Sequence, residues 1–179
     1  MRRVSVVGNS GSGKSTLARA LATRLGVPHV ELDAIYHQPG WQPLPVAEFR
    51  ARVDRAIAGD GWVVDGNYSA VRDLVWARAD TVVWLDLPRR TVMRQVVWRT
   101  VRRAVLRVEL WNGNREPWRN LFTRDPEESI IAWAWHRHTV YRARYAAMLT
   151  DAAWGHLTFV RIGSRAAARR LLARPDADR

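Results

Sequence analysis

Cysteine is missing from the 179-residue chain, and lysine occurs only once, at Lys14. Without cysteine, disulfide frameworks and thiolate metal sites are excluded. All the other basic residues, out of 29, are arginine. The single lysine therefore indicates that position 14 needs a compact point charge, which a planar guanidinium replaces poorly.

Long hydrophobic runs are missing as well. No apolar stretch approaches the roughly 20 residues of a membrane-spanning helix, and the opening MRRVSVVG is too short for a signal peptide. We therefore expect a cytoplasmic protein without membrane contacts. The length suits a single domain over residues 1–179 with its own hydrophobic core.

Acidic residues are few, 17 against 29 basic ones, which gives a formal net charge of +12. The excess is concentrated in residues 89–124, where ten arginines accompany two acids. Such a segment is either a solvated face or a surface that binds phosphates, nucleotides or nucleic acid. The charge by itself leaves both interpretations open.

Apolar runs and helical periodicity alternate along the chain. Strands are predicted at residues 2–7, 28–33, 61–66, 80–88 and 157–163. Helices are predicted at 13–26, 46–59, 68–79, 89–108, 126–149 and 164–173, the last capped by Ser164. This alternation predicts an α/β fold with a parallel sheet and helices on both faces.

The most informative stretch is VVGNSGSGKSTLA, which matches the phosphate-binding spacing G-x-x-x-x-G-K-[ST] between a predicted strand and a predicted helix. Glycines let backbone amides surround phosphate oxygens, and the helix start adds its positive end. Lys14 would reach the outer phosphates, and the Ser15 hydroxyl would bind Mg²⁺. We predict ATP and Mg²⁺ as cofactors, held by Gly8, Asn9, Ser10, Gly11, Ser12, Gly13, Lys14, Ser15 and Thr16.

Three aspartates follow apolar runs at the ends of predicted strands, where ligands of open α/β sheets bind. Asp65 and Asp86 are the candidates for a second metal ligand beside Ser15. We favour Asp65 because a glycine follows it, whereas Asp86 precedes a proline at a helix entry. Asp33 either contacts the phosphate acceptor, as a ligand or a base, or caps a helix.

The succession of segments resembles the adenylate-kinase-like P-loop proteins of the topology modulation group. The resemblance rests on the phosphate loop, LDAIYHQPGW, GWVVDGNYS, ADTVVWLDLPR and ELWNGNREP, and covers roughly residues 3–165. It implies a three-layer α/β/α P-loop NTPase fold with five parallel strands, nucleoside-monophosphate-kinase-like, and an arginine-rich lid over residues 99–126. It also implies that Gly163 and Ser164 border the purine of ATP.

The segment DGNYS stands where true adenylate kinases have D-G-F-P-R, so the arginine that grips the acceptor's phosphate is absent there. Arg72, one helical turn later, is the possible substitute, and AMP is a doubtful acceptor. The predicted acceptor-binding residues are Asp33, Tyr36, Trp41, Asp65, Gly66, Asn67, Tyr68 and Arg72.

Phosphoryl transfer depends on positioning and charge neutralisation, which calls for cations that close over the phosphates. Candidates are Arg99, Arg103 and Arg107, which share one helix face, and Arg115, Arg119 and Arg124 in the irregular insertion. We expect two or three of them to reach phosphate. Arg99 and Arg103 join Lys14 and Asp33 as the predicted catalytic set.

Tryptophan is abundant, with ten residues. Trp41, Trp111 and Trp118 fall in predicted loops near the expected cleft, where a ring could stack on a base or a substrate. Those on regular elements are predicted to be core residues, namely Trp62, Trp76, Trp84, Trp98, Trp133 and Trp135.

The leading hypothesis is an ATP-dependent kinase that phosphorylates a small molecule, with a nucleotide or nucleoside as the favoured acceptor. The first alternative is a nucleic-acid-associated ATP-binding protein, acting in topology modulation or on polynucleotide ends. The second is a nucleoside triphosphate hydrolase without an acceptor. The basic segment motivates the first alternative, and the phosphate loop is common to all three.

Overall fold

Five parallel strands form the centre of the protein in a computed structural model that describes residues 1–115 and 130–173. The strands are β1 (Arg3–Gly8), β2 (His29–Glu31), β3 (Trp62–Asp65), β4 (Thr81–Leu85) and β5 (Thr158–Ile162). Their order in the sheet is β2-β3-β1-β4-β5, with β1 in the middle. The predicted α/β fold with a five-stranded parallel sheet is confirmed.

Seven helices are present in the described part of the chain. They are α1 (Lys14–Leu25), α2 (Leu32–Tyr36), α3 (Val46–Ala56), α4 (Ser69–Arg78), α5 (Arg89–Val105), α6 (Ile130–Met148) and α7 (Arg165–Ala173). Short 3₁₀ turns occur at Pro39–Trp41, Trp111–Gly113 and Ala152–Trp154. None of these helices is long and apolar enough to cross a membrane.

The core lies on both faces of the sheet, because alternate strand residues point to opposite sides. Val4 and Val6 of β1 pack with Leu21 of α1 and Leu171 of α7. Val7, on the other side, belongs to a cluster that includes side chains of α3 and α4 and Tyr145 of α6. The result is the three-layer α/β/α arrangement that the alternation of elements predicts.

The register of the sheet brings the ends of the strands together. Val6 of β1 pairs with Asp65 of β3, and Glu31 of β2 pairs with the same Asp65. Gly8 of β1 pairs with Leu85 of β4. The phosphate loop, Asp65 and the residues after Glu31 therefore meet at one edge of the sheet.

Several predicted boundaries differ from the structure. Strand β2 ends at Glu31, and Asp33 lies in the short helix α2. At this turn Leu32 is buried against Gly66, where a Cβ would come within 2.8 Å of the Leu32 Cβ. Helix α5 ends at Val105, three residues before the predicted end.

The tryptophan prediction is partly wrong. Trp62, Trp76 and Trp84 are buried as expected. Trp98 is 66% exposed and Trp135 is 49% exposed, so two tryptophans on regular elements lie at the surface. Helical position alone does not say which face meets solvent when arginines and tryptophans alternate.

Part of the predicted lid lies outside the described residues, including Trp118, Arg119 and Arg124. Of the described part, residues 99–105 belong to α5. Residues 109–115 form a compact loop closed by a bridge between Glu109 and Arg115. The extent of the lid stays a prediction.

Candidate active site

The phosphate loop joins the end of β1 to the start of α1. Gly13 caps α1 with φ +94°, a left-handed conformation that disfavours residues with a Cβ. A Cβ at this position would meet nothing within 4 Å, so the space above it is open. The first amides of α1 have no carbonyl partner within the helix, and an anion seated there would satisfy them.

Lys14 crosses the loop, and its Nζ donates a hydrogen bond to the carbonyl oxygen of Asn9 at 3.1 Å. Burial lowers the pKa of this ammonium, while the charges of Asp33 and Asp65 act in the opposite direction. The charges of two carboxylates thus act on the only lysine. A polyphosphate on the loop would supply the anionic charge that such a buried cation favours.

The two predicted metal ligands, Ser15 and Asp65, contact each other beside the phosphate loop. The Ser15 hydroxyl donates to Oδ2 of Asp65 at 2.6 Å, and Asp65 is only 3% exposed. Hydroxyl and carboxylate oxygens are ligands that Mg²⁺ prefers, and it completes its shell with phosphate and water. The residues present therefore fit Mg²⁺. Within the described residues, no three histidines, cysteines or acids form a self-contained metal cluster.

Asp86, the alternative metal ligand, has other partners. It accepts a hydrogen bond from Arg161 on β5, and Arg142 on α6 lies 3.3 Å from its other oxygen. These contacts tie together β4, β5 and α6. Asp65 is the better fit for the metal because only its carboxylate bonds Ser15.

Asp33 holds a hydroxyl group. The Tyr68 phenol donates to Oδ1 of Asp33 at 2.6 Å, and Nε2 of His37 lies 3.3 Å from the phenol oxygen. Burial and the Asp33 charge raise the pKa of Tyr68, so the phenol stays protonated. Burial lowers the pKa of His37 despite the nearby Asp33 charge, which favours the neutral ring. Nδ1 of His37 is buried without a partner, consistent with a proton on Nε2.

The loop after α2 is fastened to the loop after α5. Asn114 accepts from the Trp41 amide at 2.9 Å through its side-chain oxygen and donates to the Gln38 carbonyl at 2.9 Å. The Trp41 indole donates to the carbonyl of Arg115 at 3.2 Å. We call these contacts between residues 37–41 and 110–115 the loop clasp.

Aromatic rings fill the space inside the loop clasp. The His37 ring centroid lies 5.2 Å from that of Trp41 and 5.9 Å from that of Trp111. Tyr36, predicted to bind the acceptor, packs against Phe49 and Tyr68. The clasp therefore covers the side of the site on which Asp33 and Tyr68 lie.

Asn67 of the DGNYS segment bonds the first residue of the phosphate loop. The Asn67 side chain accepts from the Gly8 amide at 3.2 Å and donates to the Gly8 carbonyl at 2.5 Å. The Tyr145 hydroxyl donates to the same Asn67 oxygen at 3.0 Å. Gly66 sits directly over Leu32, as described above. Asn67 thus has a defined contact with the phosphate loop as well as its predicted place near the acceptor.

Arg72 lines a small interior cavity together with Ser5, Asn67 and Tyr145. Its guanidinium carbon is 5.9 Å from the centroid of the Trp76 ring, and Nη2 is buried without a partner among the described residues. The predicted contact of Arg72 with an acceptor phosphate stays a prediction.

Among the predicted lid arginines, Arg99 is placed at the loop. Its Nη2 donates to the Ser10 hydroxyl at 3.3 Å, and its charge contributes to the lowered pKa of Lys14. Arg103 is half-buried one helical turn further along α5. Arg107 is exposed, and Arg115 lies 3.7 Å from Glu109.

Gly163 and Ser164 follow β5 at the same edge of the sheet. The Ser164 hydroxyl accepts from the Ala167 amide at 3.1 Å, which confirms the predicted cap of α7. No contact in the described chain tests their predicted place beside a purine.

Sequence reasoning missed His29, His37, Asn112, Asn114 and Tyr145. His29 is bonded to Asp65, and Asn112 donates to the carbonyls of Ala34 and His37. The sequence held no signal for His29, because its contact with Asp65 depends on the register in which Glu31 of β2 pairs with Asp65 of β3. For the loop clasp, the only signal in the sequence was the asparagine-rich segment WNGNR, which does not identify its partners.

Comparisons with known proteins find kinases with a similar sequence or fold. No protein-family model matches the chain. The chain is similar to a shikimate kinase from Ruegeria pomeroyi, with 32% identity over 107 residues, 46% of this chain and 55% of that protein. The match therefore spans about half the length of that curated relative.

Among solved structures, a shikimate kinase from Bacteroides thetaiotaomicron is similar over 96% of this chain and 94% of its own, with TM-score 0.53 and 16% identity. A shikimate kinase from Acinetobacter baumannii in complex with shikimate is similar over 96% and 89%, with TM-score 0.52 and 19% identity. At these identities the likeness shows the fold. The chain has the fold of P-loop kinases, and the narrower resemblance to the topology modulation group stays a prediction.

Proposed function

We propose that the protein is an ATP-dependent phosphotransferase that moves the γ-phosphoryl group of ATP to a hydroxyl group of a small molecule. The observation that carries the proposal is the Asp33 carboxylate, which already holds a hydroxyl at 2.6 Å and whose charge acts on Lys14. In this interpretation the Tyr68 phenol occupies the place that the acceptor's hydroxyl takes during the reaction.

The residues divide into two sides. On the nucleotide side, the amides of the loop, Lys14 and Arg99 would hold the phosphates, and Ser15 with Asp65 would hold Mg²⁺. When bound, Mg²⁺ neutralises charge on the transferred phosphoryl group. On the acceptor side, Asp33 would orient the hydroxyl and accept its proton as the new O–P bond forms and the bond to ADP breaks.

The acceptor class follows from the surroundings of Asp33. Asp33 bonds the Tyr68 phenol, the phenol oxygen lies 3.3 Å from the His37 imidazole, and that imidazole packs on the Trp41 ring. Aromatic side chains and a carboxylate suit a ring-bearing molecule with free hydroxyls, for which a nucleoside is a better match than a phosphorylated nucleotide. The similarity to shikimate kinases supports a hydroxyl acceptor of small size.

The test is phosphate transfer from γ-labelled ATP to a panel of nucleosides, nucleotides, hydroxy acids, sugars and polynucleotides with free 5′ ends. We expect a labelled small molecule from the wild type and none from Asp33→Asn. Label released only as inorganic phosphate would favour the hydrolase alternative. Labelled polynucleotide without any labelled small molecule would favour the nucleic-acid alternative and contradict the proposal.

A further inference from the structure

The carboxylate of Asp65 is held at both oxygens by different partners. Oδ2 accepts from the Ser15 hydroxyl at 2.6 Å, and Oδ1 lies 2.8 Å from Nε2 of His29. Asp65 is 3% exposed and the side chain of His29 is 16% exposed, so little water competes for either contact. A carboxylate held in this way cannot rotate without breaking one of the two bonds.

The fold places His29 where this contact can form. In the sheet Glu31 pairs with Asp65 and His29 pairs with Val63, two residues earlier on each strand. Residues two apart on a strand share a face, so His29 and Asp65 are diagonal neighbours on one side of the sheet. The imidazole is long enough to span that diagonal.

Two other described histidines show what a structural contact looks like in this protein. His138 bonds the carbonyl of Leu87 at 3.0 Å, and His156 bonds the carbonyl of Trp76 at 3.1 Å. Both contacts are made with backbone carbonyls and not with an ionisable side chain. His29 instead bonds the one carboxylate that also contacts the Ser15 hydroxyl.

We propose that His29 is a positioning residue for the metal, which fixes Asp65 so that its second oxygen stays directed at Ser15. This inference rests on the proposed function, because it takes Ser15 and Asp65 as the Mg²⁺ ligands. Partners that orient a ligand contribute strongly to metal affinity, typically about 10- to 100-fold. His29 itself does not touch the nucleotide in this account.

The readout is nucleotide binding with and without the metal, measured by calorimetry with ADP in Mg²⁺ and in EDTA. In the wild type, Mg²⁺ should tighten ADP binding. In His29→Leu that gain should shrink by about 10- to 100-fold, while ADP binding in EDTA stays as in the wild type. His29→Gln should recover most of the gain, since its amide nitrogen reaches about as far as Nε2.

A second pair of variants keeps the test valid if His29→Leu does not fold. His29→Gln and His29→Asn carry the same amide, but the asparagine is one methylene too short to reach Asp65. The proposal requires the two to differ in the Mg²⁺-dependent gain at similar melting temperatures. Equal gains in both would overturn it.

The remaining outcomes separate this inference from the proposed function. A wild type whose ADP binding ignores Mg²⁺ would contradict the metal site itself. A wild type that responds to Mg²⁺, beside a His29→Leu variant that responds equally, would overturn the role of His29 alone. Weaker binding of His29→Leu by the same factor in Mg²⁺ and in EDTA would show a purely structural role and would also overturn it.

Discussion

Single residues in this site are connected in two pairs, each of one carboxylate and one histidine, and both carboxylates act on the pKa of Lys14. Asp65 contacts His29 directly, and Asp33 is linked to His37 through the Tyr68 hydroxyl. The first pair faces the phosphate loop and the second faces the loop clasp. Substitutions in the two pairs should therefore affect different steps.

Asp33→Asn should leave ATP binding within a few-fold of wild type and lower kcat by about 10²- to 10⁴-fold, the range expected when a positioned base is lost. Steady-state kinetics with the acceptor found in the panel, together with calorimetry of ATP binding, measures both effects. Asp54→Asn is the matched control, since the side chain of Asp54 is half-exposed and pairs with Arg78 at the surface. A kcat of Asp33→Asn equal to that of the control would exclude Asp33 from the chemistry.

Stability should fall in acid because of His37. The pKa of His37 in the folded protein lies below the ordinary value of 6.5. At pH values between the folded-state pKa and 6.5, the folded protein therefore binds fewer protons than the unfolded chain. The stabilising contribution is complete above about pH 6.5 and is lost as the pH falls through the folded-state pKa.

Urea unfolding at pH 8 and pH 5.5 tests this sign. We expect His37→Asn to lose less stability between the two pH values than the wild type. His136→Gln, which removes an exposed histidine, should behave like the wild type. An identical loss in all three proteins would refute the contribution of His37.

At the scale of elements, α5 and the two loops around it determine how closely the site is covered. Helix α5 packs on the phosphate loop at Gly11, where φ is +74° and a Cβ would lie 2.1 Å from Cγ2 of Val96. The loop clasp then joins the residues after α5 to the residues after α2. Helix α5 is thus held against the phosphate loop at Gly11, and the loop that follows it is held by the loop clasp.

Gly11→Ala should displace α5 from the phosphate loop. The left-handed backbone costs an alanine about 1–2 kcal/mol, and the clash with buried Val96 adds about 1–3 kcal/mol. Gly26→Ala is the matched control, because Gly26 has φ +64° but open space around its Cβ position. Denaturant unfolding and ATP calorimetry should show Gly11→Ala as the more damaging change in both; equal effects would contradict the packing argument.

Asn114→Ala should open the loop clasp. It removes the bonds to the Trp41 amide and the Gln38 carbonyl from a site where Asn114 is 4% exposed. Loss of such buried hydrogen bonds costs about 1–3 kcal/mol. Hydrogen exchange at residues 37–41 should become faster while exchange in β1 stays unchanged, and unchanged exchange at 37–41 would show that the clasp is held by its rings instead.

How far the sequence predicts this structure depends on whether a feature is local. The phosphate loop, its strand and its helix lie within 25 residues, and the predicted order of strand, loop and helix is confirmed. The preference for Asp65 over Asp86 rests on a local feature, the glycine that follows it, and Asp65 does contact Ser15. Two other contacts depend on strand order and register, which one sequence does not reveal. They are the hydrogen bonds between Asn67 and Gly8 and the contact of His29 with Asp65.

At the scale of the whole molecule, half of the net charge of +12 lies on one helix, α5. Helix α5 contains six arginines and no acid, and Arg90, Arg94 and Arg102 are exposed on it near the exposed Trp98. This face points away from the buried contact between Val96 and Gly11. Its charge is therefore largely separate from that of the nucleotide site.

We expect the basic face to bind nucleic acid weakly and without consequence for the reaction. Binding to a DNA oligonucleotide should fall steeply as salt increases, as for any contact made mainly with phosphates. ATP turnover should be the same with and without DNA at moderate salt. Turnover that depends on DNA would favour the nucleic-acid alternative over the small-molecule kinase.

The central claim is that the loop at residues 8–15 binds the phosphates of ATP through Lys14. Calorimetric titration of the wild type and Lys14→Met with ATP and Mg²⁺ tests it most directly. The account predicts one site in the wild type and an affinity about 10- to 100-fold lower in Lys14→Met, since a charged hydrogen bond contributes about 1.5–3 kcal/mol, with the melting temperature of the nucleotide-free protein preserved. A wild type that does not bind ATP, or a Lys14→Met variant that binds it equally well, would contradict the account.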